Sequence, residues 1–262
     1  MTENLFNLEN KISVVTGGSG YLGKSICEGL LEAGSDVYLL GKSKKNLELA
    51  TSYLKKNNFK KIKALKTDIS SFKTIQKTIC DIEKEAGRID VLVNNAAYSN
   101  DGNFDSKIEK TWNYGIDGTI NNVFRVTKLV LPIMQKQKKG SIINLSSIYG
   151  VVSPDPSIYG KTGFDNPPEY GAGKAAIIQF TKYLAVHYAK FGIRSNSISP
   201  GPFPNKQVQK HKKFISELKK KNPMKRIGEP SELKGPIVFL ASNASSFITG
   251  QNIHVDGGWT IW

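Results

Sequence analysis

Three residues of the 262-residue chain have types and spacing suited to moving a proton onto or off a carbonyl oxygen: Ser147, Tyr170 and Lys174. Tyr170-Gly171-Ala172-Gly173-Lys174 opens an amphipathic stretch, and the i,i+4 spacing sets the phenol and the amine on one helix face. A neighbouring ammonium favours the phenolate, so Lys174 is expected to draw the tyrosine from its free pKa of about 10 toward neutrality. A tyrosine tuned in this way donates or accepts a proton near neutral pH. Ser147 ends the strand-like run SIINLSS (141–147) and is placed to hydrogen-bond a substrate oxygen and hold it for transfer. Tyr-x-x-x-Lys alone has little weight, because unrelated sequences contain it by chance. Its value depends on its surroundings.

The first of those surroundings is a phosphate cradle. The apolar run ISVVT (12–16) leads into Gly17-Gly18-Ser19-Gly20-Tyr21-Leu22-Gly23, where Gly18-x-Gly20-x-x-Gly23 fits the dinucleotide fingerprint and opens a helical pattern. Glycines permit the tight turn and let the backbone approach a pyrophosphate, which also meets the free N–H groups and positive dipole end of the helix. The end of the second strand-like run then bears on the choice of cofactor. A carboxylate there binds the ribose 2′-hydroxyl of NAD. Here the run ends Leu40-Gly41-Lys42-Ser43, and Asp36 lies at its opposite end. Lys42 suits a 2′-phosphate, which favours NADP(H), with NAD(H) possible. Asp68-Ile69 follow the third run, where the carboxylate can reach an adenine amino group. Asn95-Ala96-Ala97 follow the fourth, small enough for close backbone packing on a cofactor.

These residues need a scaffold that brings strand ends together. Short apolar runs at 12–16, 36–40, 62–66, 90–95, 141–147, 194–199 and 252–256 alternate with helical patterns at 21–33, 43–57, 71–86, 106–138, 169–191, 206–221 and 231–241. The region 106–138 holds one or two helices. Such alternation predicts an α/β, doubly wound parallel sheet of about seven strands with helices on both faces. Its ligand crevice lies at the carboxyl ends of the strands. No composition break divides the chain, so residues 1–262 read as one dinucleotide-binding domain.

Composition narrows the remaining classes. A hydrophobic share of 39% suits one ordinary core and excludes disorder, while scattered Gly and Pro exclude collagen-like repeats. No apolar run reaches the ~18 residues of a membrane span. MTENLFNLENK has no basic stretch followed by an apolar one, so no secretory signal is expected. Cys27 and Cys80 cannot build a disulfide framework; both fall on predicted helices as core residues, and a reducing cytoplasm is the expected location. The net charge of +15 comes from 33 Lys and only 4 Arg. Dedicated nucleic-acid readers lean on bidentate Arg, so nucleic acid is not the expected partner. His187, His211 and His254 are far apart in sequence and form no metal-ligand pattern.

Taken together, the glycine turn, Asp68, Asn94-Asn95-Ala96-Ala97, Ser147, the Tyr170/Lys174 pair, Ser199-Pro200-Gly201, Pro223 to Gly228 with Glu229-Pro230, Phe239-Leu240-Ala241-Ser242, Thr249-Gly250-Gln251 and Asp256-Gly257-Gly258 resemble the short-chain dehydrogenase/reductase family over almost the whole chain. The resemblance implies a Rossmann-type fold, a nicotinamide cofactor, catalysis by Ser147, Tyr170 and Lys174, cofactor contacts from Pro200, Gly201 and Phe203, and a homotetramer or homodimer. Ser147 rather than Ser146 matches the family serine, because it precedes Ile-Tyr-Gly. The pattern departs from the family in three places. The turn reads T-G-x-x-G-x-x-G, as in the extended branch. The relay Asn of the central helix aligns with Thr119. The Thr that touches the nicotinamide amide aligns with Asn205.

Ser147 and Tyr170 are 23 positions apart, more than the family usually has, so an insertion within 151–168 must emerge beside the site. Its Asp155, Tyr159, Lys161, Asp165 and Asn166 make a polar rim, where a pocket for a long acyl chain is apolar. Tyr149, Asp155, Tyr159 and Asn205 are the candidate substrate contacts. SIYG before the insertion and DGGW near the end are similar to reductases of flagellin modification and nonulosonic-type sugar pathways, and share features with gluconate-type dehydrogenases. The resemblance makes 203–226 a substrate lid, with Phe214, Ile215 and Leu218 turned inward beneath solvated lysines. The expected activity is hydride transfer between nicotinamide and a ketone or secondary alcohol on a sugar-like small molecule. The alternatives are reduction of 3-oxoacyl-[acyl-carrier-protein] and a cofactor-binding sensor with impaired catalysis.

Overall fold

Continuous apolar runs such as Val14-Val15 and Val91–Val93 need cover on both faces, and a parallel sheet between helices supplies it. The computed structural model describes residues 5–160 and 165–262; Lys161 of the insertion lies outside them. The chain runs β1 (Ile12–Thr16), α1 (Tyr21–Glu32), β2 (Asp36–Gly41), α2 (Lys44–Lys56), β3 (Ile62–Lys66), α3 (Phe72–Ala86), β4 (Val91–Asn94), α4 (Glu109–Ile116), α5 (Asn122–Gln137), β5 (Gly140–Leu145), α6 (Pro168–Tyr188), β6 (Ile193–Pro200), α7 (Lys212–Lys221), α8 (Lys234–Ala241) and β7 (Asn252–Val255). All seven strands are parallel in the order β3-β2-β1-β4-β5-β6-β7. The order reverses between β1 and β4, which opens a crevice at their carboxyl ends. This is the doubly wound parallel sheet expected from the alternation, of the Rossmann type that the resemblance implies.

Neighbouring strand residues serve opposite cores. Val15 and Leu39 pack with Ile26, Leu30, Ile237 and Leu240 under α1 and α8. Val14 and Leu40 pack with Ile79, Val126, Val130 and Leu184 under α3, α5 and α6. Ser43 and Ser71 cap α2 and α3 by accepting from Asn46 N and Thr74 N, so both helices begin one residue later than their patterns suggest. Cys27 is buried as expected, but Cys80 is exposed on the outer face of α3.

The region 106–138 divides into α4 and α5 with a π-helical turn, Asp117–Asn121, between them. Side chains compete with the helical ladder there: Thr119 Oγ1 donates to Gly115 O at 2.8 Å, and Gly118 O accepts from Asn122 Nδ2 at 2.6 Å and Tyr98 N at 3.1 Å. A second difference lies in the segment expected to be a lid, where only 212–221 is α-helical and a 3-10 turn, Val208–Lys210, precedes it. A buried polar chain ties the elements behind the site. Asn94 Nδ2 donates to Thr127 Oγ1 at 3.0 Å and Asn144 Oδ1 at 2.8 Å, and Asn144 Nδ2 donates to Thr181 Oγ1 at 2.9 Å.

Candidate active site

Ser147 follows β5, and Tyr170 and Lys174 occupy the first two turns of α6, so one strand end and one helix start bring the three together. Ser146 Oγ donates to Lys174 O at 2.8 Å and so ties α6 to β5. Ser147 Oγ accepts from Tyr149 N at 3.2 Å and shares a side-chain hydrogen bond with the Tyr170 phenol. The two adjacent serines therefore do different things: one fastens the helix, the other faces the tyrosine. Lys174 is buried, its Nζ donates to Leu145 O at 2.7 Å, and it lies 5.4 Å from the Tyr170 ring centroid.

The charges differ from the sequence expectation. Burial pushes the Tyr170 phenol up from its ordinary value, the Ser147 hydrogen bond pulls it partly back, and Lys174 does not lower it. The larger effect falls on the lysine, whose buried amine drops to about 8. The ammonium points at a carbonyl beneath the ring rather than at the phenol oxygen, which explains the difference. The phenol is thus held protonated at neutral pH, the form that donates a proton.

Beside this corner lies a cleft of about 560 Å³. The turn at Gly17, Ser19, Gly20, Tyr21, Leu22 and Gly23 lines it, together with Asn95, Ala96 and Ala97, of which Asn95 and Ala96 pack directly against Gly17. Lys42, Asp68 and Ile69 close the far end. The turn admits no side chain at Gly23, where a Cβ would sit 2.1 Å from Gly17 O, and Gly17 takes φ +63°. Gly18 points away from the cleft against Leu39 and Cys27, so its part is packing. Thr16 Oγ1 accepts from Asn95 N at 3.0 Å and Ala96 N at 3.1 Å, while Asn95 Nδ2 donates to Thr16 O and Gly17 O. Asn95 therefore braces the cradle with its side chain. Lys42 Nζ pairs with Asp68 at 2.8 Å at this end of the cleft. Partial burial opposes the Asp68 charge, but hydrogen bonds from Lys42 and Ser70 outweigh it and hold the carboxyl at about 2.

Tyr98 and Tyr114 also line this cleft, with ring centroids 4.9 Å apart, and sequence reasoning missed both. Their one signal was aromatic residues flanking the start of the region between β4 and α5. Gly201 N is fixed by Val255 O at 3.0 Å at the end of β6, next to Pro200. Phe203 lines a separate cleft with His254 and Asp256.

The candidate substrate contacts divide. Tyr149 and Tyr159 meet, hydroxyl to hydroxyl, at 3.1 Å. Asp155 is instead ion-paired with Lys221 of α7. Asn205 Oδ1 accepts from Gln207 N at 3.0 Å and Val208 N at 3.1 Å, which commits it to the turn before α7. Phe214, Ile215 and Leu218 are buried as expected.

Comparison with known proteins agrees with this geometry. A family model described as enoyl-(acyl carrier protein) reductase matches residues 19–260. A sorbose reductase of Candida albicans is 36% identical over 98% of this chain and 89% of its own length. Among solved structures, a gluconate 5-dehydrogenase from Burkholderia cenocepacia in complex with NADP and tartrate is 27% identical, with a TM-score of 0.88 over 98% of both chains. A short-chain dehydrogenase from Leptospira borgpetersenii with bound NAD+ is 32% identical, with a TM-score of 0.88 over 100% of this chain and 97% of that one. The matched span, the shared sheet and the two dinucleotide complexes show that this chain belongs to the short-chain dehydrogenase/reductase family of oxidoreductases.

Proposed function

We propose that the protein is an NADP-preferring oxidoreductase that reduces a ketone on a small, hydroxyl-rich, sugar-like substrate or runs the reverse oxidation. The observation that carries this reading is the meeting of Ser147, Tyr170 and Lys174 beside the glycine-walled cleft. The residues present fit a dinucleotide. The turn closes too tightly for a Cβ at Gly23 and lines the cleft at the start of α1, where Gly17, Gly20, Tyr21, Leu22 and Gly23 would hold a pyrophosphate. Asp68 and Ile69 would hold the adenine, Lys42 a 2′-phosphate and Lys174 the nicotinamide ribose. A bound nicotinamide supplies or accepts the hydride at the substrate's carbonyl carbon.

The chain's own groups do the rest. Ser147 holds the carbonyl oxygen by hydrogen bonding and fixes its place relative to the phenol. Tyr170, kept protonated by burial, gives its proton to that oxygen as charge develops there. Lys174 keeps its positive charge at neutral pH, anchored on Leu145 O, and would act through the nicotinamide ribose rather than on the phenol directly.

The sugar-like substrate class is supported by the sorbose reductase relative, the gluconate 5-dehydrogenase structure and the paired hydroxyls of Tyr149 and Tyr159. A second reading, reduction of a 3-oxoacyl thioester on a carrier protein, is favoured by the description of the matching family model. The resemblance extends the proposal to a homotetramer or homodimer in the cytoplasm. An NADPH-consumption assay comparing keto sugars with a short 3-oxoacyl thioester separates the two substrates. Tyr170→Phe is expected to keep NADPH binding within about twofold and to lose at least ~100-fold in kcat. Full activity in that variant would overturn the assignment.

A further inference from the structure

The insertion does more than rim the site. Its 3-10 turn, Pro156–Ile158, sits on the lid helix α7. Ile158 and Tyr159, only 2% and 8% exposed, form with Phe214, Ile215 and Leu218 an apolar cluster separate from the two main cores. The Tyr159 ring stacks on Phe214 with centroids 5.7 Å apart and planes 20° apart. Asp155 meets Lys221 in the last turn of the same helix. An ion pair that exposed holds little on its own, so the buried aromatic face carries the attachment.

Tyr159 also faces the other way. Its hydroxyl lies 3.1 Å from the Tyr149 hydroxyl, and Tyr149 N donates to Ser147 Oγ. Burial pushes both phenols up from their ordinary values, so both stay neutral hydrogen-bonding groups across the working pH range. One residue of the insertion thus touches the lid with its ring and the wall of the catalytic corner with its hydroxyl.

We propose that Tyr159 is a specificity-determining positioning residue: its ring fastens the lid to the insertion, and its hydroxyl orients Tyr149 to receive a hydroxyl of the substrate next to the reacting carbonyl. The lid is then held by the chain itself, and the pocket that Tyr149 and Tyr159 line beside the start of α6 would present phenol oxygens to a hydroxylated ketone. The hydroxyl half of this proposal rests on the sugar-like reading above; the lid half does not.

Two variants separate the halves. Tyr159→Phe keeps the stack and removes the hydroxyl; Phe214→Ala removes the stack and leaves the hydroxyl pair. Steady-state kinetics are measured on a keto sugar and on a cyclic ketone without hydroxyls, with NADPH affinity measured by fluorescence. Tyr159→Phe is expected to raise KM for the keto sugar about 5–10-fold, the worth of one hydrogen bond, with kcat within about twofold and little change in KM for the plain ketone. Tyr149→Phe is expected to do the same, and the double variant no more than either. Equal effects on both ketones, no effect, or additive effects would overturn the hydroxyl role. Phe214→Ala is expected to speed tryptic cleavage among the lysines of 206–221 and to leave NADPH affinity unchanged; an unchanged cleavage rate would overturn the fastening. A wild-type protein that reduces the plain ketone but no keto sugar would overturn the substrate reading and the hydroxyl role together, while the cleavage experiment still judges the lid.

Discussion

Lys174 is buried at a cost in stability that its proposed catalytic role would explain. Its amine titrates near 10.5 in an unfolded chain and at about 8 when buried on β5. The unfolded state therefore binds more protons between those values, and stability rises as pH climbs through that window; below pH 8 the whole cost is present. Lys174→Met is expected to raise the free energy of unfolding at pH 7 by about 1–2 kcal/mol, after allowing for the donor lost to Leu145 O, and to give almost no gain at pH 10.5. Urea unfolding at the two pH values checks this, and an equal difference at both would count against a buried charge. Lys42 makes the opposite case at the surface. Its pair with Asp68 is exposed and screened by solvent, so a 2′-phosphate would compete with the carboxylate for the ammonium. Lys42→Ala is expected to weaken NADPH at least ~10-fold and to change NADH by no more than about twofold in titrations. Comparable losses for both cofactors would argue that Lys42 does not read the 2′-phosphate. The positions of these residues were legible to different degrees. Residue type and strand position placed Ser147, Tyr170, Lys174 and Lys42 beside the site. The direction of the Tyr170 shift was not legible, because it depends on where Nζ points after α6 docks on β5.

At the level of elements, alternation located every strand and helix, since period and length are properties of the local sequence. The π-helical turn was hidden because side chain-to-backbone bonds, which no periodicity records, create it. The joint between α4, the preceding loop and α6 was hidden for a similar reason. Lys107 and Glu169, 62 positions apart, form a 2.7 Å ion pair whose side chains are 5% and 0% exposed. Lys107 Nζ also donates to Asn100 O and Asp101 O, and the Glu169 side chain lies over Gly115. This pair fastens the loop after β4 to the first turn of α6, one residue before Tyr170. Breaking it leaves an uncompensated buried charge, so Lys107→Met is expected to cost about 3–5 kcal/mol in denaturant unfolding. Lys107→Met combined with Glu169→Met is expected to cost clearly less than the Lys107 variant alone, because no charge remains buried. A double variant as unstable as the sum of the two singles would show that packing, and not charge, governs the joint.

For the whole molecule, the +15 charge resolves into pairs and a diffuse remainder. Lys220, Lys221 and Arg226 of the lid region are paired with Glu217, Asp155 and Glu232, and Lys225 lies over Trp262. Among the described residues no helix is long and apolar enough to cross a membrane. What the surface does offer is apolar area on the helices covering one face of the sheet: Phe124 on α5 at 50% exposure, and Tyr183 and Val186 on α6 at 53% and 78%. Tyr183 and Val186 are three apart and share a helix face. A face of this kind suits association of like chains, which needs roughly 800 Å² from each partner, whereas net positive charge opposes it and is screened by salt. Val186→Glu puts one carboxylate on each copy at the centre of that face. It is expected to lower the mass measured by light scattering to that of a smaller assembly while circular dichroism stays unchanged. The wild-type assembly is expected to tighten as ionic strength rises. Because Tyr170 and Val186 lie on one helix, the dissociated variant is also expected to lose activity on warming before its helices melt. A Val186→Glu protein of unchanged mass would place the contact elsewhere on the molecule.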